Sequence, residues 1–274
     1  VLYIELVKEK FMYQFIEKEG NKQTIVALPA LGERKDIYEP LVQKMEQFNW
    51  VLFDLPGTNK QQLEDYSVTH YTQYIKNVLN QLEIESAHFM GNSIGTWIIQ
   101  AYYTQYSQDV LSLIMLDGGY FFLGDINSHT HIDLPKIEDF DTLMHAVKNL
   151  VNNSPAADKY LYEKYYLNNF VKEDNHYIHH SDEVALNVLS LEVSTVDYRL
   201  TETQIPIYLL IASDGFYSDS PQQVDQYIKE FKETNTNTEV YIVEKGQHFL
   251  PMTNTEDVVN ILLDVLNKST EFHK

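Results

Sequence analysis

One serine of the chain has a setting that suits nucleophilic catalysis. Ser93 lies in the stretch Met90-Gly91-Asn92-Ser93-Ile94-Gly95, with a glycine two residues to either side. An apolar run that suits a buried strand precedes it, and a mostly apolar run that suits a buried helix follows it. A sharp strand-to-helix turn lifts a serine hydroxyl clear of the sheet, and its close backbone approach requires glycines. The spacing predicts a nucleophilic serine; the alternative is a purely structural turn.

A serine hydroxyl near neutral pH needs a base, and the chain offers one at the end of a later strand. Asp214 and His248 each follow an apolar run that suits a buried strand. Because active sites of open parallel sheets lie at the carboxyl ends of strands, we expect these groups near Ser93. His248 would accept the serine proton, and Asp214 would fix the tautomer of the imidazole. Asp219 and Asp117 remain alternatives for the acid.

The elements that must position these groups follow from the alternation of apolar patterns. Buried strands are predicted at 24–28, 50–53, 87–90, 111–116, 207–212 and 239–243, with a leading hairpin strand at 11–17. Stretches with helical spacing separate them. Such alternation is typical of an α/β fold, with a mostly parallel central sheet and helices on both faces.

The regular alternation is interrupted once, between residues 120 and 203. No clear buried strand is visible there, and three stretches, 140–151, 157–170 and 182–191, have helical character. We therefore predict a core domain made of residues 1–119 and 204–274. Residues 120–203 would form a helical insert in this core.

Composition limits the classes of partner. The chain has 274 residues with 20 basic and 40 acidic side chains, a formal net charge of −20, which argues against nucleic acid and anionic membranes as partners. No cysteine is present, which excludes disulfides and thiolate metal sites and suits a cytoplasmic protein. The opening residues 1–8 lack the features of a signal peptide, and no run is long enough to span a membrane.

The chain resembles the α/β-hydrolase family over nearly its whole length. Beside the turn at Ser93, the loop 54–57, with sequence Asp-Leu-Pro-Gly, is similar to the D-x-x-G loop of that family. The segment 246–251 resembles the family's segment around its histidine, and the insert falls where that family carries its lid. The resemblance implies a serine hydrolase with a catalytic triad. Its departure is a Pro29-Ala30 pair where the family usually has His-Gly.

Further residues are expected to complete the site. The backbone N–H groups of Leu31 and Ile94 would stabilise the oxyanion. Tyr120, Phe121 and Phe249 would line the substrate pocket. No glycine-rich phosphate loop is present, so no cofactor is expected.

One stretch of the insert partly resembles a metal-binding signature. The stretch 129–133, with sequence His-Thr-His-Ile-Asp, resembles part of a metal-hydrolase signature, but it lacks the final histidine and lies in the insert. A polar lid loop is the preferred interpretation, so no metal is predicted.

Three functions fit the pattern. The preferred one is a serine hydrolase that cleaves an ester, thioester, lactone or amide of a small apolar acyl compound. Asn92 beside the serine also fits a carbon–carbon bond hydrolase or a cofactor-free lyase on the same triad. The altered loop at residues 29–30 would suit a non-catalytic ligand-binding member of the fold. The pattern leaves the substrate and the oligomeric state open.

Overall fold

A seven-stranded sheet forms the centre of the molecule. The computed structural model describes residues 12–20, 22–126 and 131–271, so the opening residues 1–11, which include the first residue of the predicted leading strand, lie outside it. The strand order is β1-β3-β2-β4-β5-β9-β10. The bounds are β1 Tyr13–Ile16, β2 Thr24–Leu28, β3 Asn49–Phe53, β4 Ala87–Asn92, β5 Val110–Leu116, β9 Ile207–Ala212 and β10 Thr238–Val243.

The sheet is parallel except at one edge. β1 pairs antiparallel with β3, with Tyr13 opposite Phe53, and every other described pairing of this sheet is parallel. Strands β2, β4, β5 and β9 are neighbours, so their carboxyl ends meet at one edge. The predicted mostly parallel sheet is therefore confirmed.

Two apolar cores lie on the two faces of this sheet, because successive strand residues point to opposite sides. Phe89 packs with α2 and α3 on one face, and Met90 packs with α1 and α10 on the other. The helices outside the insert are α1 Glu39–Lys44, α2 Val68–Gln81, α3 Ile94–Gln105, α7 Phe216–Asp219, α8 Pro221–Thr234, α9 Leu250–Thr253 and α10 Thr255–Glu271. Among the described residues, no helix is both long and apolar enough to cross a bilayer.

The insert contains strands as well as helices. Its helices are α4 Phe140–Asn152, α5 Lys159–Asn168 and α6 Glu183–Thr195, near the predicted positions. A small antiparallel sheet, in the order β6-β8-β7, accompanies them: β6 Lys136–Ile137, β7 Phe170–Glu173 and β8 His176–His179. This small sheet is an addition to the helices of the insert that the sequence pattern did not indicate. These strands are two to four residues long and contain a single buried residue, Ile178, so they lack the apolar run of a buried strand. We refer to residues 120–203 as the cap.

The cap is fastened to the core through the loop at residues 54–57. Gly57, with φ +86°, leaves room for α6, since a Cβ there would lie 2.3 Å from the Cβ of Ala185. The Gly57 carbonyl accepts a hydrogen bond from the Asp182 N–H at 2.8 Å. Asp54 is buried and accepts hydrogen bonds from the Lys35 N–H and ammonium. The loop therefore has a structural role beneath the cap.

Candidate active site

Ser93 lies at the turn between β4 and α3 in a conformation that few non-glycine residues adopt. Its φ and ψ are 51° and −120°. Such backbone strain costs on the order of 1–3 kcal/mol and persists only where surrounding structure imposes it. Here the Ser93 N–H donates to the Leu116 carbonyl at 2.9 Å, and the Ser93 carbonyl accepts hydrogen bonds from both the N–H and the hydroxyl of Thr96.

The two flanking glycines are explained by close backbone contacts. A Cβ on Gly91 would lie 2.4 Å from the carbonyl carbon of Gly95, and a Cβ on Gly95 would lie 2.6 Å from the carbonyl oxygen of Leu28. Side-chain carbons do not approach backbone atoms so closely. The glycine spacing therefore allows β4, α3 and the end of β2 to meet directly below Ser93.

His248 is held by Asp117. The Nδ1 atom of His248 lies 2.6 Å from Oδ2 of Asp117, whose other oxygen accepts the Ala212 N–H at 3.1 Å. A carboxylate accepts hydrogen bonds, so Nδ1 is the donor in this contact and Nε2 takes no part in it. Asp117 directly follows β5, the neighbour of the strand that ends at the Ser93 turn.

Asp214 does not occupy the position that we expected for it. Its side chain is exposed and accepts a hydrogen bond from the neighbouring Ser213 hydroxyl, while its backbone N–H donates to the Gly246 carbonyl. Asp219, the second alternative, is also exposed, at the end of α7. The expectation that Asp214 is the partner of His248 was therefore wrong: of the three candidates, Asp117 is the one in contact.

Asn92 holds the backbone of His248 through a hydrogen bond. Its side-chain amide is fully buried and donates to the carbonyl oxygens of Leu116 at 3.0 Å and His248 at 2.9 Å. It thus joins the end of β5 to the loop that carries the imidazole. This contact gives Asn92 a structural role that the sequence pattern did not indicate.

The loop after β2 brings Leu31 to the same site. Leu31 and Ile94 both line the cavity that contains Ser93 and His248. The left-handed residue of this loop is Gly32, with φ +79°, while Ala30 is outside the positive-φ region. The Ala30 carbonyl accepts the Glu33 N–H at 3.0 Å, which closes a tight turn. Ala30 therefore meets no backbone requirement for glycine, despite the departure from the family pattern.

The cavity over Ser93 has a volume of about 310 Å³ and mostly apolar walls. Ser93, Asp117 and His248 all line it; in the part of the chain that the structure describes, no hydrogen bond joins Ser93 to His248. The other side chains that wall it are Trp97 and Phe216 from the core, and Tyr120, Phe121, Leu123, Ile126, Ser190 and Val193 from the cap. Phe249, expected here, instead packs beside the His248 ring with ring centroids 5.4 Å apart.

A buried carboxyl lies behind the loop of Leu31. Glu33 Oε2 accepts hydrogen bonds from the Tyr165 hydroxyl and, at 3.2 Å, from the Asn169 amide. Burial raises the pKa of Glu33, and these two hydrogen bonds oppose that rise. Both donors belong to the cap, at or just after α5. No sequence pattern indicates Glu33, because a single Glu in a loop has the pattern of a solvated residue.

A possible cation-binding group lies elsewhere, on the cap surface. His131 Nε2 is 3.5 Å from Asp133 Oδ1 and 3.6 Å from Glu183 Oε1. All three side chains are exposed, and none of them lines the cavity over Ser93. His129 and Thr130 lie outside the described residues. Exposed groups of this kind are common without an ion, so we assign no metal to them.

Comparison with known proteins identifies the family. The sequence model of the family described as alpha/beta hydrolase fold matches residues 23–255, which is most of the chain. The protein therefore belongs to the α/β-hydrolase family. The expected resemblance is thus confirmed. No curated protein matches the chain significantly.

Solved structures of hydrolases share the fold. An E-2-(acetamidomethylene)succinate hydrolase is 13% identical with a TM-score of 0.77, over 93% of this chain and 94% of that one. A carboxylesterase study of Nitrososphaera gargenis provides a structure at 15% identity and TM-score 0.67, covering 94% of both chains. The thioesterase domain from the curacin biosynthetic pathway is 15% identical with TM-score 0.65, over 92% of this chain and 98% of that one. At these identities the likeness concerns the fold alone.

Proposed function

We propose that the protein is a serine hydrolase that cleaves an ester or thioester of an uncharged apolar acyl group, with lactones and amides as related substrates. Ser93 is the nucleophile, His248 the general base and Asp117 the acid. The observation that carries the proposal is that one cavity is lined by the strained Ser93, by the Asp117-bound His248 and by otherwise mostly apolar walls.

The geometry suggests how the reaction proceeds. Ser93 Oγ attacks the carbonyl carbon and His248 Nε2 takes its proton, while Asp117 stabilises the resulting imidazolium. The oxyanion accepts hydrogen bonds from the backbone N–H groups of Leu31 and Ile94. His248 then protonates the leaving group, and an acyl-enzyme remains. In the second half, His248 activates water, which attacks the acyl carbon and releases the acid and free Ser93.

The walls of the cavity restrict the acyl group. Among the described residues, no Lys, Arg, Asp, Glu or His side chain other than Asp117 and His248 lines it, so a charged acyl chain would be buried there without a partner. The volume of about 310 Å³ lies at the lower end of the range for small-ligand pockets, roughly 300–1,000 Å³. These features favour a short to medium alkyl chain or a single aromatic ring.

The similar solved structures do not indicate which bond is cleaved, because they include a hydrolase of a succinate derivative, a carboxylesterase and a thioesterase domain. Asn92 no longer argues for carbon–carbon cleavage, since its side chain is committed to two backbone carbonyls. Carbon–carbon hydrolysis and lyase chemistry remain outcomes of substrate screening. Rapid hydrolysis of a vinylogous diketone, together with no hydrolysis of p-nitrophenyl esters, would establish carbon–carbon bond hydrolysis.

The decisive experiment is labelling with an alkyl fluorophosphonate. We expect the folded protein to take up one label at Ser93, identified by peptide mass spectrometry, and to lose p-nitrophenyl ester hydrolysis in proportion. Ser93→Ala should remain folded and unlabelled. A folded wild-type chain that takes up no label would remove the proposed nucleophile and leave a non-catalytic binding role as the better explanation.

A further inference from the structure

The loop that carries Leu31 is held from the cap side by a set of hydrogen bonds on the three residues that follow it. The Gly32 carbonyl accepts a hydrogen bond from His180 Nε2 at 3.1 Å. The Arg34 N–H donates to the Tyr165 hydroxyl at 3.2 Å, and the Glu33 carboxylate accepts from that same hydroxyl. The cap therefore contacts the backbone and the side chains of this loop directly.

Tyr165 is the centre of these contacts. Its ring is 4% exposed, and its hydroxyl donates to Glu33 while it accepts from Arg34. Glu33 is in none of the described ion pairs; the hydrogen bonds from Tyr165 and Asn169, followed by the charge of His248, are what oppose the cost of burying its carboxylate. Both donors converge on one oxygen, Oε2, which fixes the carboxylate in direction as well as in place.

The turn transmits this restraint to the oxyanion site. The Glu33 N–H donates a hydrogen bond to the Ala30 carbonyl, and Leu31 lies within the turn that this bond closes. Oxyanion stabilisation requires an N–H that is already aimed before charge develops, because reorientation during the reaction costs free energy. We propose that Tyr165 and Asn169 of the cap act as positioning residues that hold the Leu31 N–H in the oxyanion hole through Glu33. The hole is then complete only with the cap in place.

This inference rests on the proposed hydrolase function, and kinetic constants of fluorophosphonate labelling test it. The rate constant kinact measures the chemical step, in which the phosphonyl oxygen needs the oxyanion hole. The constant KI measures the binding step, in which the alkyl chain enters the apolar cavity. In Tyr165→Phe, we expect kinact to fall about tenfold and KI to stay within about twofold. Tyr160→Phe, at a 78% exposed tyrosine of the same helix, should match the wild type in both.

A conservative change separates the hydrogen bonds from the charge. Glu33→Gln keeps a carbonyl oxygen that can accept from Tyr165 and Asn169, so its kinact should stay within about 1.5-fold of the wild type. Glu33→Ala removes the acceptor and should lose about as much as Tyr165→Phe. A role in general stability alone would lower the melting temperature of these variants and leave kinact of the folded fraction unchanged.

The outcomes are distinguishable. A wild-type chain without any label contradicts the proposed function itself. A labelled wild type with an equal kinact in folded Tyr165→Phe contradicts the positioning role. If Tyr165→Phe does not fold, Asn169→Ala takes its place, because it removes a single donor to the same oxygen. An expected loss of about threefold in kinact supports the role, and an unchanged kinact overturns it.

Discussion

At the scale of single residues, the identity of the catalytic acid is the sharpest question that the structure raises. Asp117 receives hydrogen bonds from His248 and from the Ala212 N–H, whereas Asp214 is exposed and bonded to its neighbour. An Asn in place of Asp117 can donate an N–H to Nδ1 and so favour the wrong tautomer of the imidazole.

We therefore expect Asp117→Asn to lower kcat for a p-nitrophenyl ester by about 10³–10⁴-fold with a small change in KM. Asp214→Asn is the matched control and should retain kcat within about threefold, since its backbone bond to Gly246 is unaffected. The reverse order of the two variants would restore Asp214 as the acid. Circular dichroism of both proteins establishes that they are folded.

The sequence indicates residues whose setting is local, and it does not indicate residues whose partners are distant in the chain. Ser93 was predictable because its glycine spacing is required by local backbone contacts, which leave a mark in the sequence. Asp117 was an open alternative because it and Asp214 both follow a buried strand and precede glycine. Only the position of the His248 loop in three dimensions separates them. Glu33 left no mark, since its partners Tyr165 and Asn169 are more than 130 positions away.

At the scale of elements, the strands and helices of the core were predictable because burial gives them strong apolar periodicity. β2 and β9 are buried at every residue, and their predicted and observed bounds agree. The cap sheet was not predictable: β7 is exposed at three of its four residues, so neither a continuous nor an alternating apolar pattern marks it. Short polar strands of this kind depend on their partner strands, here β8, for their conformation.

The cap helix α6 contributes Ser190 and Val193 to the wall of the cavity over Ser93. Ser190 on α6 lines the cavity and is half-buried, whereas its neighbour Leu191 is 49% exposed and does not line it. Replacing Ser190 with Phe would fill part of the 310 Å³ without removing a partner of the catalytic groups. The change should therefore act on the size of the substrate rather than on the chemistry.

We expect Ser190→Phe to reduce kcat/KM for p-nitrophenyl octanoate about tenfold and to leave that for the acetate within about twofold, because the shorter acyl group does not reach α6. Leu191→Phe is the control with the same added ring outside the cavity and should behave as the wild type. An equal loss for both esters would show that the substituted side chain disturbs the catalytic groups. An unchanged octanoate rate would show that the acyl chain lies elsewhere.

At the scale of the whole molecule, core and cap both contain buried neutral histidines. His88 is 1% exposed between β4 and β5, where its Nδ1 lies 2.8 Å from the Ser112 hydroxyl, and burial lowers its pKa to about 4. Burial lowers the pKa of His179 to about 4 and that of His180 to about 3. An unfolded histidine has a pKa of about 6.5, so the unfolded chain binds more protons between these values.

Stability should therefore fall as the pH is lowered from about 6.5 to 4. For His88, whose pKa falls from 6.5 to about 4, the loss is on the order of 2–3 kcal/mol of unfolding free energy by pH 4. Protonation of the many carboxylates changes the net charge of −20 over part of the same range, so the comparison must be made between variants. His88→Gln removes one buried titrating group and leaves the surface charge intact.

Urea unfolding at pH 7, 5.5 and 4 measures this contribution. We expect His88→Gln to be less stable than the wild type at pH 7, because the ring and its packing are lost, and to lose less free energy on acidification. His70→Gln, at an exposed histidine of α2, should follow the wild-type curve at every pH. Parallel curves for the wild type and His88→Gln would mean that the buried imidazole does not titrate on unfolding. The acid sensitivity would then have to come from the cap histidines His179 and His180, or from carboxylates whose pKa the fold lowers, such as Asp197 beside Arg199.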